Sequence, residues 1–458
     1  MRNLTRRHFL RAGVAAAAGI PALAALAGCG EEEGGATEAV ATAAPVMTKA
    51  ATEAMPKPQS VSLEVWHSLI EISEPAWDNI FTAYQAANPN VTIVPAAVPH
   101  GDAQAKILTA LAGGTEPDLV YVHPETNATL AEKDAIIALD PFIKADKSFD
   151  FEDFYEGIVQ FYQWKGVTYA LPQYSGPLIF VYNRDLIEPL GLGDPWELYQ
   201  NGEWTLDVYR QMAEMATTGE GDDKIWGIRE VPPALKIFCC WIWGFGGELW
   251  NPEVTETLMA EPKAIDAWEY MASEVKAGLT PSREFAKSSA GGVEGIFLGG
   301  RMAIYMGSRW TTTKIPDGFN AGNVPMFSME YGEYNRDGPN ALGIFAGSEK
   351  QDPAWDLLKY ITTKGVEELI AVKFTAPTLK SLSTSDVWLN AVADWDNPEV
   401  HALAAKQVRG MIHPPRYSEI NKDYVLAAYD EVVLGDKSAK EAFDAVVPNI
   451  NEILQEGV

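Results

Sequence analysis

The hydrophobic pattern becomes regular at residue 61, where it begins to switch between the strand period and the helix period. Residues 61–66 alternate apolar and polar side chains, as a half-buried strand does. The pattern then predicts a helix, a strand, a second helix and a third strand, at residues 77–84, 91–94, 107–114 and 118–122. Strands that alternate with helices in this way predict βαβ units and a mostly parallel sheet.

Beyond Gly166 helical patterns dominate. Two strands are still predicted, at residues 178–183 and 301–306. The predicted helices lie at residues 205–217, 262–277, 293–298, 353–363, 366–372, 420–434 and 439–454. Because single hydrophobic cores stop growing near ~300 residues, a chain of 458 residues with both patterns is expected to form two α/β lobes.

The first 28 residues have the pattern of a secretory signal. A basic start with the pair Arg6-Arg7 precedes an apolar run at 12–25, which is shorter than the ~20 residues that span a bilayer. The arginine pair resembles a Tat export signal, and Leu-Ala-Gly before Cys29 resembles a bacterial lipobox. These features predict a lipidated Cys29 and a chain tethered to the outer face of the cytoplasmic membrane. The alternative is an ordinary signal with a chance cysteine.

Residues 29–60 are predicted to be a flexible tether, because glutamate, glycine, alanine, threonine and proline dominate them without periodicity. Removal of a signal that holds four arginines and no acid lowers the formal net charge from −28 to −32. A chain this acidic is repelled by nucleic acid and by anionic lipid. The remaining cysteines, Cys239 and Cys240, lie in an apolar run and are expected to be buried thiols.

Several segments resemble one family when they are taken in order. They contain an Ala-Gly-x-x-x-Pro-Asp motif, a Gly-x-x-Tyr-Ala-Leu-Pro motif with a later Tyr-Asn-Arg-Asp-Leu, a Gly-Gly-Arg-Met-Ala segment that ends in tryptophan, and a Pro-Ala-Trp helix. They lie at residues 112–118, 166–172, 182–186, 299–310 and 353–362. In this order they resemble the extracellular solute-binding proteins of ABC importers, in the group typified by maltose-binding protein.

The resemblance implies a two-lobe periplasmic-binding-protein fold of type II, with mostly parallel sheets flanked by helices. It implies a first lobe of residues 61–171 and 341–377, and a second of 172–340 and 378–458. The chain would cross between lobes near 170–174, 340–343 and 377–381. A ligand would lie between the lobes, which would close about these crossings and deliver it to a membrane permease. The protein would be a monomer.

A sugar site needs flat aromatic rings and planar polar groups, and several such residues follow predicted strands. The predicted ligand-binding residues are Trp66, Tyr174, Trp241, Trp243, Arg309 and Trp310. Four of them have a named structural alternative, because Trp66 and one of Trp241 and Trp243 could pack in the core and Arg309 could pair with a surface acid. Three other tryptophans are expected to be structural because they have helical core spacing, namely Trp77, Trp268 and Trp355.

Other classes remain open at this point. A secreted glycoside hydrolase would need two carboxylates, and 63 acidic residues always offer some pair. The chain has no nucleophile elbow, P-loop or H-E-x-x-H motif, and its five mature histidines are scattered. No catalytic residue, metal site or cofactor is therefore predicted. Within the binding class, a polyamine, iron chelate, phosphodiester or peptide is the alternative to a mono- or oligosaccharide.

Overall fold

Two β-sheets organise the chain in a computed structural model that describes residues 60–114, 117–229, 234–392 and 397–457. The side chains of His100, Asp222, Arg283 and Glu284 are not described. The predicted signal, the lipidation site Cys29 and the tether lie outside the described residues. Within the described part of the chain, no helix is both long enough and apolar enough to cross a bilayer.

The first sheet has five strands in the order β2-β1-β3-β11-β6. In chain order its strands are β1 Val61–Ser68, β2 Val91–Val98, β3 Leu119–Val122, β6 Leu171–Tyr174 and β11 Asn340–Ile344. Strand β1 runs parallel to β2 and β3, whereas β11 runs antiparallel to both β3 and β6. The predicted βαβ units therefore account for three of its strands.

The second sheet has four strands in the order β10-β7-β9-β8. They are β7 Ile179–Asn183, β8 Trp226–Ile228, β9 Met302–Gly307 and β10 Ala321–Val324. Successive residues of β7 belong to two different cores, with Phe180 in the large cluster and Val181 in a smaller one. This strand is thus buried on both faces, as a central strand covered by helices must be. A separate hairpin pairs β4 Gln163–Trp164 with β5 Val167–Thr168.

The two-lobe α/β fold is confirmed, but the sheets are mixed and not mostly parallel. In the described residues only the pairs β1–β2, β1–β3 and β8–β9 are parallel. The other four pairs of the two sheets are antiparallel. A helical crossover returns the chain in the same direction, whereas β6 and β11 connect to the other sheet and are free to run antiparallel.

Helices cover both sheets. Those in the first half of the chain are α1 Glu74–Ala87, α2 Ala103–Gly113, α3 Pro124–Glu132, α4 Asp140–Ala145, α5 Glu156–Val159, α6 Arg184–Ile187, α7 Pro195–Gln200 and α8 Leu206–Ala216. The next group is α9 Leu235–Gly244, α10 Pro262–Lys276, α11 Arg283–Ser288, α12 Gly292–Leu298 and α13 Arg309–Thr312. The last group is α14 Gln351–Thr362, α15 Gly365–Ala371, α16 Asp386–Ala391, α17 Val400–Lys406, α18 Tyr417–Glu419, α19 Leu426–Leu434 and α20 Ala439–Glu456.

Most of the long predicted helices are present within a few residues of their expected ends. The segment predicted as one helix from 420 to 434 contains a π-helical stretch, Ile420–Val425, before α19. Trp77, Trp268 and Trp355 are buried, as their helical spacing predicted. Cys239 and Cys240 are buried free thiols on α9. The thiol prediction is therefore confirmed.

One carboxyl group lies deep in the second lobe. Glu274, on the inner face of α10, is 1% exposed. Burial raises its pKa from the ordinary 4.5 to about 8, although nearby Tyr270 and Arg210 act in the opposite direction. Desolvation dominates, so the group is mainly neutral at pH 7 in the folded protein.

Glu274→Gln should therefore change how stability depends on pH. In the wild type the unfolded chain ionises Glu274 above pH 4.5 while the folded chain stays neutral up to about 8, so stability falls as pH rises through this window. Even a third of this shift corresponds to about 1.5 kcal/mol, which the glutamine variant should recover at pH 8. Urea unfolding from pH 4.5 to 8.5 measures the difference. The control Glu214→Gln removes a half-exposed carboxylate beside the same Arg210 and should keep the wild-type slope.

Candidate functional site

The segments that connect the two sheets meet at one buried carboxylate. Asp337, which precedes β11, is 2% exposed. Its Oδ2 accepts a hydrogen bond from Ser175 Oγ at 2.6 Å, and its Oδ1 accepts from the backbone N–H of Gly176 at 2.7 Å. The backbone N–H of Ser175 in turn donates to Thr375 Oγ1 at 2.8 Å. Residues of the β6–β7, β10–β11 and post-α15 segments are thereby tied into one hydrogen-bonded unit.

The bounds proposed for the two lobes stay a prediction, but the third crossing has contacts that bear on them. Leu379 pairs with Phe154, and the carboxylate of Asp153 accepts hydrogen bonds from Ser381. Helix α16 then packs against α15. The chain thus stays beside elements of the first sheet up to about residue 391. It enters the second sheet's surroundings at α17, where Val400 joins the core of Ile179.

A cleft is defined where the ends of strands from the two sheets face each other. Helix α3 follows the carboxyl end of β3, and α9 follows the end of β8. The Lys236 Nζ on α9 lies 2.8 Å from Glu125 Oε1 on α3, and both side chains are partly exposed. This ion pair spans the two lobes. Open α/β sheets bind ligands outside the carboxyl ends of their strands, so this region is the candidate site.

Side chains of neighbouring residues hydrogen-bond the helix starts that carry Lys236 and Glu125. The backbone N–H of Lys236 donates to Tyr417 Oη at 3.1 Å, and that of Leu235 donates to Asn421 Oδ1 at 2.8 Å. On the other side, the backbone N–H of Glu125 donates to His123 Nδ1 at the start of α3. Side chains therefore cap both helix ends that carry the pair, which fixes where the two charges meet.

A buried imidazole adjoins this pair. His413 packs edge-on against Tyr417, with ring centroids 4.4 Å apart, and in a tilted arrangement against Phe161 of the first lobe at 6.1 Å. Its Nδ1 lies 3.1 Å from the carbonyl oxygen of Met411, so that nitrogen carries the proton. Burial lowers the pKa of His413 to about 4, while Glu125 and Lys236 act on it in opposite directions. The ring is neutral at physiological pH.

Two arginines also lie in this region. Arg229 follows β8, and its Nη1 donates to Tyr305 Oη at 2.9 Å and to the Met306 carbonyl at 2.8 Å. Burial lowers the pKa of Arg229, and the positive charge of Arg336 lowers it further. Arg336 directly precedes Asp337, so both guanidinium groups lie near the junction of the crossings.

The predicted residue Trp66 lies in the core on the face of β1 that it shares with Glu64. Its indole N–H donates to Glu64 Oε1 at 2.6 Å, and Lys106 Nζ lies 4.0 Å from the ring centroid. Trp241 is wholly buried and packs edge-on against Phe327 at 6.0 Å. In this conformation neither ring offers a free face to a ligand, and their predicted binding role stays a prediction.

Trp243 lies on α9 two residues beyond Trp241 and points to a different neighbourhood, because the run is a helix and not an extended strand. Arg409 covers its ring at 4.6 Å. The ring lines a cavity of about 360 Å³ together with Glu248 and Trp250. Because Arg409 covers a face of the ring, Trp243 lines this cavity by the edge of its indole.

The remaining three predicted residues lie at the crossings or after β9. Tyr174 packs against Phe374 with ring centroids 4.7 Å apart, and burial raises its pKa to about 12. Arg309 is 1% exposed, its Nε donates to the Lys373 carbonyl at 3.2 Å, and its guanidinium lies over Trp388. Trp310 is 46% exposed. Adjacent residues thus have opposite roles, one joining the lobes and the other facing solvent.

The residues that the sequence analysis missed are those brought together by the fold, namely Glu125, Arg229, Lys236, Arg336, Asp337 and His413. Glu125 and Lys236 are 111 positions apart, and no local motif links them. Arg229 had one usable signal, because it directly follows the short apolar strand Trp226–Ile228. In the described residues no group of three or more acidic, histidine or cysteine side chains could hold a metal ion.

The fold and the cleft define a two-lobe binding protein, and comparison with known families agrees. The profile of the bacterial extracellular solute-binding proteins matches residues 70–368, which is more than half of the chain. The chain belongs to this family. Relatives described as binding proteins of Brucella abortus and Brucella suis are 21% identical over 298 residues, covering 63% of this chain and 69% of theirs.

Solved structures support the same architecture. A sugar-binding protein of Xanthomonas citri is 18% identical with a TM-score of 0.74, covering 86% of this chain and 98% of that one. An ABC substrate-binding protein of Listeria monocytogenes in complex with cycloalternan is 20% identical with a TM-score of 0.70, covering 86% and 99%. A cyclic alpha-maltosyl-1,6-maltose binding protein of Arthrobacter globiformis is 18% identical with a TM-score of 0.71, covering 87% and 100%. At these identities the likeness establishes the fold.

Asp337→Ala should destabilise the whole domain by about 3 kcal/mol, because it leaves buried donors on Ser175 and Gly176 without an acceptor. Asp337→Asn keeps one side-chain oxygen and should cost less than half as much. Urea unfolding followed by tryptophan fluorescence measures both. The control Asp153→Ala removes a half-exposed carboxylate that also accepts two hydrogen bonds, and should cost under about 1 kcal/mol. Equal losses at positions 337 and 153 would contradict the assignment.

Proposed function

We propose that this protein is the substrate-binding component of an ABC importer and captures a mono- or oligosaccharide between its lobes. The observation that supports this most directly is the interlobe region, where the strand ends of two mixed sheets face each other across Glu125 and Lys236 and the connecting segments meet at Asp337. Family membership and the sugar-binding descriptions of the similar structures support the same function. The protein would return its ligand chemically unchanged and deliver it to a membrane permease.

The exported location follows from the family, whose members are described as extracellular. We propose in addition that Cys29 carries lipid, that a Tat-type signal directs export, and that the chain works as a monomer on the outer face of the cytoplasmic membrane. Residues 29–60 would then let the domain move between solvent and a permease.

Three of the predicted residues are the best placed to contact a ligand. Trp310 follows the carboxyl end of β9 and exposes nearly half of its side chain, with Lys314 Nζ 4.5 Å from the ring centroid. Tyr174 is half-buried at the first crossing. Trp243 reaches a cavity by its edge. We propose these as ligand contacts, and Arg309 as a residue that acts by joining the lobes.

The function is tested by thermal unfolding of residues 30–458 against neutral and charged sugars, polyamines and peptides. A ligand at 100 times its Kd should stabilise the fold by about 2.7 kcal/mol, which is a measurable shift in Tm. Chromatography of the recovered ligand then separates binding from turnover. A sugar that shifts Tm and is recovered intact supports the proposal. A shift only with polyamines or peptides, or a cleaved sugar, would contradict it.

Trp310→Ala should weaken binding of whichever sugar gives that shift by at least ~2 kcal/mol, because it removes an exposed aromatic face at a strand end. Isothermal titration calorimetry measures the change. Tyr331→Ala is the matched control, since Tyr331 is 44% exposed and also has a lysine, Lys263, over its ring. Both variants should melt near the wild-type temperature. An unchanged Kd in Trp310→Ala would remove this residue from the site.

A further inference from the structure

Several cations lie near one another where the two lobes of this very acidic chain meet. The whole sequence has 63 acidic and 35 basic residues. Four cations nevertheless lie where the lobes meet, namely Arg229, Lys236, Arg309 and Arg336. Lys236 is paired with Glu125, and Arg309 donates to Lys373 and lies over Trp388. The other two cations, Arg229 and Arg336, are bonded differently.

Arg229 and Arg336 make hydrogen bonds to neutral groups. The partners of Arg229 are the hydroxyl of Tyr305 and the carbonyl of Met306. Arg336 Nη1 donates to the carbonyl of Asp337 at 2.9 Å, and its Nε is buried without a hydrogen-bond partner in the described part of the chain. Arg229 Nη1 bonds the carbonyl of Met306, which pairs with Phe180 of β7, and the Arg336 carbonyl accepts from the N–H of Leu178 at 3.3 Å, so the two arginines are anchored within two residues of each other along the start of β7. The charge of Arg336 accordingly lowers the pKa of Arg229.

The carboxylates around these arginines have other partners. Asp337 accepts from Ser175, Gly176 and Gly338. Glu125 is paired with Lys236, and Glu294, which also acts on Arg229, lies 2.6 Å from Lys314 Nζ. Within the described residues, no carboxylate forms an ion pair with Arg229 or Arg336. Two like charges are therefore held near each other at a strand end and a crossing, which is costly unless an anion joins them.

We propose that the cleft selects an anionic sugar, whose carboxylate or phosphate group is bound between Arg229 and Arg336. The proposal rests on the sugar-binding function and adds the chemical class of the substrate. Guanidinium groups suit this role because their planar N–H pairs match carboxylate and phosphate oxygens and form strong charge-assisted hydrogen bonds. The donors that such a group would use are the buried Nε of Arg336 and the nitrogens of Arg229 other than Nη1, which make no hydrogen bond within the described residues.

The test compares acids with neutral sugars of the same shape on residues 30–458. The probes are trigalacturonate against its fully methyl-esterified form, and glucose 6-phosphate against glucose, with maltotriose as a further neutral sugar. Calorimetry should give a Kd at least ten-fold lower for one of the acids than for its neutral counterpart. That preference should shrink when KCl is raised from 0.05 to 0.5 M. The two pairs distinguish a carboxylate ligand from a phosphate ligand.

Arg336→Gln should abolish the preference for the acid, whereas the affinity for the neutral counterpart should stay near the wild-type value. The control is Arg301→Gln. Arg301 lies just before β9, at the opposite end of that strand from the proposed site, and its Nε donates to the Lys224 carbonyl. This variant should keep the wild-type preference.

The outcomes separate the two proposals. If neutral sugars bind and their acidic counterparts bind no tighter, the inference is overturned while the sugar-binding function stands. If Arg336→Gln weakens acids and neutral sugars equally, the inference is also overturned, because the arginine then serves hydroxyl groups. If no sugar of either kind binds, both the function and the inference fail.

Discussion

A single buried carboxylate, that of Asp337, holds the junction on which both lobes depend. Its oxygens accept from the first crossing through Ser175 and Gly176, and Ser175 is bonded onward to Thr375 in the third. Burial raises the pKa of Asp337, whereas these hydrogen bonds and Arg336 lower it. The network compensates for the desolvation of a charge that would otherwise be too costly to bury.

The location of this network has a mechanical consequence. Its members lie on the crossings and not on the facing surfaces of the lobes. First-lobe tyrosines extend it, because Tyr121 Oη donates to Asn340 Oδ1 and Tyr162 Oη donates to the Pro339 carbonyl. In the proposed closing motion this junction would be the axis, and contacts away from it, such as Glu125 with Lys236, would be remade.

Hydrophobic periodicity was enough to predict the strands around β1–β3, most long helices and the buried positions of Trp77 and Trp268. It was not enough to predict the residues of the candidate site, because these depend on which strand ends the complete fold brings together. Trp66 lies within β1, where it shares a face with Glu64 and lies beneath Lys106. The pair Arg309 and Trp310 differs by one position, and the turn into α13 buries the first and exposes the second. Glu125 and Lys236 meet only through the complete fold.

The acidity of the chain and the basic cleft act over different distances. At physiological ionic strength charges farther than about 8 Å are largely screened, so the acidic surface hardly opposes an anion that has reached the cleft. Inside, where the effective dielectric constant is lower, the charges of Arg229 and Arg336 act more strongly on a bound group. A polyamine, which is a cation, would be attracted by the acidic surface and repelled by the two arginines. The overall composition therefore favours a cationic ligand, whereas the site favours an anionic one, and the site decides because binding occurs at short range.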